Sequence, residues 1–199
     1  MNLYIEYLSF FSLGFVFRNK IFLNNPHNSD DQVIYFIDAS RVGNFFANFL
    51  KQMFGVEFQE LKFKMIEIKD ENGELVRIRI PRKDLFEVQQ KMIQSDAYKQ
   101  LYHASWKHVR VENFIRKGLI DGNIMQENSP SRILYLINVV HWHSKKRNIS
   151  NNKFIVQKRP WFNIYKEYAS NFNIELIEST RMSKKEPQRN IKQFIEKSP

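Results

Sequence analysis

Residues 32–38, QVIYFID, are almost continuously apolar and end on the carboxylate of Asp38. A strand that is apolar on both alternating faces needs cover on both sides, and a parallel sheet inside an α/β protein supplies it. Directly beyond Asp38 the period changes from two to about 3.6. Val42, Phe45, Phe46, Phe49, Leu50 and Met53 follow helical spacing, Ser40 suits the N-cap, and Gly55 closes the helix. A strand that passes straight into a helix has to cross over the sheet before it can pair again.

The same theme returns near the C-terminus. KFIVQKR (153–159) is a second buried strand candidate, and Pro160 opens a helix with Trp161, Ile164, Tyr165, Tyr168 and Phe172 at helical spacing. Asn173 permits a left-handed cap, and IELIES (174–179) is a further short strand. Between these units, VEFQELKFKMIEIKD, the turn signal Asp70-Glu71-Asn72-Gly73 and the alternating LVRIRI predict a half-exposed β-hairpin ended by Pro81. A helix is expected over about 84–102, and Ser129-Pro130 opens a central one, RILYLINVVHWH, that ends in cations. The resulting order implies an α/β chain with a Rossmann-like, mostly parallel sheet, a β-hairpin insertion and flanking helices.

Three regions follow from the pattern: an apolar N-terminal helix over 1–23, the α/β domain over 32–178, and a basic C-terminal tail or peripheral helix over 179–199. The polar stretch NNPHNSDD separates the first two. The run from Leu3 to Phe17 carries one charge, Glu6, and is short for a membrane span of roughly 20 residues. Its cations, Arg18 and Lys20, come after the apolar stretch, whereas a signal peptide wants them before it. A helix docked on the domain, one docked on a partner protein, and an in-plane anchor on an anionic membrane all remain open.

With 31 Lys and Arg against 21 Asp and Glu, the net charge of +10 favours anionic partners. A phosphorylated or glycan-type ligand and anionic lipid rank ahead of nucleic acid, because no aromatics interleave with Lys145-Lys146-Arg147 as a base-stacking platform would. The absence of cysteine excludes disulfides, thiolate metal sites and a cysteine nucleophile, and suits a cytoplasmic setting. No motif implies a cofactor, and His141 and His143, two apart on a helix, point in different directions and do not make a metal pair.

Ligands of open parallel sheets bind beyond the carboxyl ends of the strands. That rule selects Asp38, Ser40 and Arg41 at one junction and Lys158, Arg159 and Trp161 at another, each beside a helix N-terminus that favours anions. The cations suit a phosphate or carboxylate, Trp161 offers a ring to a sugar or base, and Asp38 is the leading catalytic candidate. A plainer account is open for each: Ser40 caps, Pro160 starts a helix, Trp161 packs, and the cations are solvated. A metal-dependent nuclease of the PIN-like kind would need further acids at later strand ends, where only Glu178 qualifies.

In FIDASRVGNFF, KDENGELVRIRIP and RPWFNIYKEYASNFNIELI the chain resembles bacterial surface-carbohydrate biosynthesis proteins of the glycosyltransferase type, over roughly residues 32–178. The resemblance implies the N-terminal, acceptor-side half of a two-domain, GT-B-like enzyme, working with a separate nucleotide-sugar half on lipid-linked glycans at the inner face of a membrane. A non-catalytic interaction module is the alternative from a different class.

Overall fold

The computed structural model describes residues 2–19, 33–96, 98–99, 105–106, 109–110, 123–126 and 129–179. In chain order the elements are β1 (Asn2–Leu8), α1 (Phe10–Arg18), β2 (Val33–Ala39), α2 (Arg41–Phe54), β3 (Glu57–Glu60), α3 (Val76–Arg79), a π-helical turn (Ile80–Asp84) and α4 (Leu85–Gln94). There follow β4 (Ser105–Trp106), β5 (Val109–Arg110), α5 (Pro130–Lys146), β6 (Asn152–Gln157), α6 (Phe162–Ser170) and β7 (Ile174–Ser179). Five strands form one all-parallel sheet in the order β3-β2-β1-β6-β7, while β4 and β5 pair antiparallel as a separate ribbon.

The sheet is covered on both faces, as the apolar strands require. Leu3, Ile5, Ile34 and Ile155 meet Leu13 and Val16 of α1 and Ala47 of α2 on one face. Tyr4, Tyr35, Phe154 and Leu176 meet α4, α5 and α6 on the other. The chain winds outward from β1 to β3 on one side, then crosses the opposite face to build β6 and β7 on the other. The Rossmann-like α/β expectation therefore holds, with every strand of the main sheet parallel.

Residues 1–23 are not one helix. Asn2–Leu8 is the central strand of the sheet, and only Phe10–Arg18 is helical. Ser9 divides them: its hydroxyl accepts the Ser12 N–H, and the Ser12 hydroxyl accepts the Ser9 N–H, a reciprocal cap that starts the helix there. The sheet therefore takes in β1 as well as the strands beyond residue 32, and its strand β7 runs to Ser179. The polar stretch 24–31 and the tail 180–199 lie outside the described residues.

The β-hairpin is a second correction. Its turn exists: Asp70 Oδ1 accepts the N–H groups of Asn72 and Glu74, each at 2.9 Å, and Gly73 takes φ +80°. Pairing around it stops at a single bridge, Lys69 to Leu75, and VRIR winds into α3. Helical spacing buries Val76 and Ile80 together and leaves Ile78 exposed. It also lets Arg79 donate to Asp70 at 2.8 Å, Asp84 at 3.2 Å and Asn138 of α5 at 2.6 Å. Tyr168 of α6 completes this group by donating to Asp84. Tertiary bonding of a charged group outweighs a local strand preference worth about 1 kcal/mol across its whole scale.

The junction between β1 and α2 is tight. The Leu8 carbonyl accepts the Ser40 N–H at 3.0 Å, and a Cβ placed on Gly43 would come within 2.1 Å of the same oxygen. Gly43→Ala should therefore force β1 and α2 apart and destabilise the fold by about 1–3 kcal/mol or more. A urea titration of wild type and variant measures this, and an unchanged midpoint would contradict the close approach.

Candidate functional site

In a doubly wound sheet the crevice that takes ligands opens where the strand order reverses, outside the carboxyl ends. Here that point lies between β1 and β6, because the chain leaves β1 toward β2 and returns on the other side. Glu6 of β1 stands there. Its Oε2 accepts the backbone N–H of Gln157 at 2.9 Å, and its Oε1 accepts from the Arg159 guanidinium just beyond β6. Both side chains are almost fully enclosed, at 7% and 8% exposure. Burial pushes the Glu6 carboxyl above its usual range, against the opposing pull of Arg159, the Gln157 N–H and Arg132.

The edge continues on either side. The Arg159 backbone N–H donates to Glu178 of β7 at 3.2 Å. At the end of β2, Asp38 accepts from Arg132 at 2.9 Å, with the Asp38 side chain 57% exposed and Arg132 16%. Arg132 comes from the first turn of α5. This helix runs back against the strands, so its N-terminus lies at the carboxyl edge. Ser129 caps that turn by accepting the Arg132 N–H.

Asp38 and Arg159, selected from sequence, do lie on one edge of one sheet, with β1 between their strands. Arg41 and Lys158 are exposed at its rim. Ser40 caps α2, accepting the Gly43 N–H at 2.9 Å. Trp161 takes a left-handed backbone at φ 56°, donates its indole N–H to Ser95 at 3.2 Å and packs on the core, so it serves as wall more than as open platform. The helix it precedes starts at Phe162.

Glu6 and Arg132 were not selected from sequence. Glu6 is hidden when its segment is read as a helix, because the nearly continuous apolar run NLYIEYL fits a doubly covered strand and a helix alike. Arg132 follows Ser129-Pro130 by two residues, and the rule that crossover helices begin at the carboxyl edge would have found it.

Chemically, the edge alternates carboxylates with guanidiniums, offering acceptors and donors side by side with little net charge between them. Among the described residues no group of three or more His, Asp or Glu side chains is arranged to hold a metal ion. Glu6, Asp38 and Glu178 are each engaged by a guanidinium or a backbone N–H.

Two open clefts lie at the other end of the sheet, around the C-terminus of α5. One, of about 620 Å³, is lined by Arg79, Asn138, His141 and Trp142, and the other, of about 640 Å³, by Tyr35, His143 and Arg147. In the second, the Tyr4 hydroxyl and His143 Nδ1 are 3.0 Å apart, and Arg147 donates to the Tyr35 hydroxyl. Burial, then the charges of Arg147 and Lys146, pushes His143 down to about 4.

Two outcomes are expected. Removing Arg159 alone strands a buried carboxylate, so Arg159→Ala should cost about 3–5 kcal/mol of stability. Pairing it with Glu6→Leu should recover part of that loss, and strict additivity in denaturant titrations would contradict the coupling. For His143, the folded pKa lies below the unfolded one, so protons bind the unfolded chain first. Stability should then fall as pH drops from about 6.5 toward 4, and His143→Gln should flatten that stretch of the curve. Glu6, raised by burial, acts in the opposite sense and loses stability as pH rises through its folded pKa. Comparing melting curves of wild type and His143→Gln across the window separates the two.

Set against models of known families, curated proteins and solved structures, the chain matches none of them.

Proposed function

We propose that this chain is a glycan-biosynthesis protein, glycosyltransferase-like, that holds the sugar acceptor at the carboxyl edge of its sheet. The observation that carries the proposal is the pair of guanidinium–carboxylate contacts, Glu6–Arg159 and Asp38–Arg132, flanking the point where strand order reverses. Sugar hydroxyls donate and accept at once, and a neighbouring carboxylate and guanidinium answer both roles. A nucleic-acid groove would instead present a continuous excess of cations.

Within that edge the roles divide by exposure. Glu6 and Arg159 are enclosed and set the floor. Asp38 is the acid that solvent reaches, so it is the group that accepts a hydrogen bond from an acceptor hydroxyl and the leading candidate for a base. Arg41 and Lys158, at the rim, suit a phosphate or carboxylate carried by the glycan. A two-domain enzyme of the kind this chain resembles binds its sugar nucleotide on a second half. Binding of the acceptor is the part of the reaction proposed for these residues.

The test is a titration with neutral oligosaccharides, inorganic phosphate, nucleotide sugars and a short RNA, at low and moderate salt, followed by NMR shifts. Asp38→Asn and Arg132→Ala should each weaken saccharide binding by about 1–3 kcal/mol, roughly five- to 150-fold, at both salt levels. Unchanged affinity in both variants would sink the proposal. So would binding of RNA alone with an affinity that collapses in salt.

A further inference from the structure

α2 is apolar on more than its packed side. Gly43, Phe46, Ala47 and Leu50 turn toward the sheet, while Val42, Phe45, Phe49 and Met53, recurring at helical spacing, are exposed, Phe45 at 68%. Beside them α1 opens with two more exposed rings, Phe10 and Phe11 at 53% and 54%. The rings run in continuous contact: Phe11 to Phe10 at 6.1 Å between centroids, Phe10 to Phe46 at 5.0 Å, Phe46 to Phe45 at 5.8 Å. Single exposed apolar side chains are ordinary, but a contiguous aromatic surface over two neighbouring helices marks an interaction face.

The charges say what it meets. Neither α1 nor α2 contains an Asp or Glu, and their ionisable side chains are Arg18, Arg41 and Lys51. Phenylalanine rings on a helix lying in the membrane plane bury at the boundary between headgroups and acyl chains, and flanking cations are drawn to anionic headgroups. A second copy of the chain docking through this face would set one such cation-bearing, acid-free surface against another, which like-charge repulsion opposes. No described helix is long and apolar enough to cross a membrane, so helices that meet one here lie along it.

We infer that the α1–α2 face seats the protein on an anionic lipid bilayer. Both helices begin at the carboxyl ends of their strands, so Phe10, Phe11 and Phe45 lie at the end of the face nearest Asp38 and Ser40. Seated this way, the candidate site opens close to the headgroups, where a lipid-linked ligand would be presented. The lipid contact shares Arg41 with that edge but rests on the exposed rings of α1 and α2, and it does not depend on what the edge binds.

Co-sedimentation of the full chain with two kinds of vesicle tests this: phosphatidylcholine alone, and phosphatidylcholine with about one third phosphatidylglycerol. The anionic vesicles should bind it, the neutral ones much less, and added salt should weaken the contact. Phe45→Ser/Phe49→Ser should lower binding at least tenfold, with circular dichroism reporting that the fold is kept. Arg41→Gln/Lys51→Gln should reduce the preference for anionic vesicles, and it decides the matter if the phenylalanine variant fails to fold. Indifference of wild type to both vesicle types would overturn the inference. So would equal binding by folded variants, or light scattering that shows a dimer dissolved by Phe45→Ser/Phe49→Ser.

Discussion

A strand with parallel neighbours along both edges and helices over both faces leaves no wet surface for a charge, yet β1 carries Glu6. Taking an isolated carboxylate out of water costs several kcal/mol even after relaxation, so the fold exists only if that charge is met. Two donors meet it, and both arrive from β6: the Gln157 N–H and the Arg159 guanidinium. The register of β6 on β1, Tyr4 beside Phe154 and Ile5 beside Ile155, brings the end of β6 level with the acid. A one-residue slip would move Arg159 away and turn every side chain of the strand to the opposite face of the sheet. One ion pair therefore fixes where the two halves of the sheet join, and that join is where the ligand crevice opens.

The two helical layers solve different problems. Over one face, α5 is buried along most of its length, and polar groups that cannot be left unpaired are gathered into the Arg79, Asp84, Asn138 and Tyr168 cluster. That cluster ties the π-helical turn to α5 and α6, and burial with the neighbouring Asp84 carboxylate pushes the Tyr168 hydroxyl well above its ordinary range. Over the other face, α1 and α2 pack Leu13, Val16 and Ala47 inward with Phe15 and Phe46 against them, and still leave Phe10, Phe11, Phe45 and Phe49 outward. A layer that existed only to cover a sheet would carry polar residues there.

How far the sequence revealed this follows from which signals are local. QVIYFID, Ser40 and Gly55 gave β2 and α2 correctly because strand period, N-cap and C-cap are all written within a few residues. β6, α6 and β7 were legible for the same reason. β1 was not, since the aromatic-rich run from Leu3 to Phe17 satisfies helix and strand alike, and only its place between β2 and β6 decides. LVRIRI alternates as strands do, but Arg79 finds its acids and Asn138 only if the backbone coils. Of the candidate site, Asp38 and Arg159 could be found by a rule about strand ends. Glu6 stays hidden while its segment reads as a helix, and Arg132 emerges only when the edge rule is extended to the start of α5; the pairings themselves, across 153 and 94 residues, are written nowhere in the sequence.

The two ion pairs at the edge share a chemistry and differ in what they can do. Glu6–Arg159 is enclosed, so breaking it leaves a carboxylate out of water with only the Gln157 N–H to meet it, and the pair behaves as part of the core. Asp38–Arg132 has one partner 57% exposed, so water reaches the Asp38 carboxylate and can take the place of its contact while Arg132, at 16%, stays in position. Little is therefore lost when a ligand hydroxyl takes the place of one contact. A rigid pair beneath and an exchangeable pair above is the arrangement a polyhydroxylated ligand requires: fixed geometry to orient it, and hydrogen bonds that can change partner without disturbing the sheet.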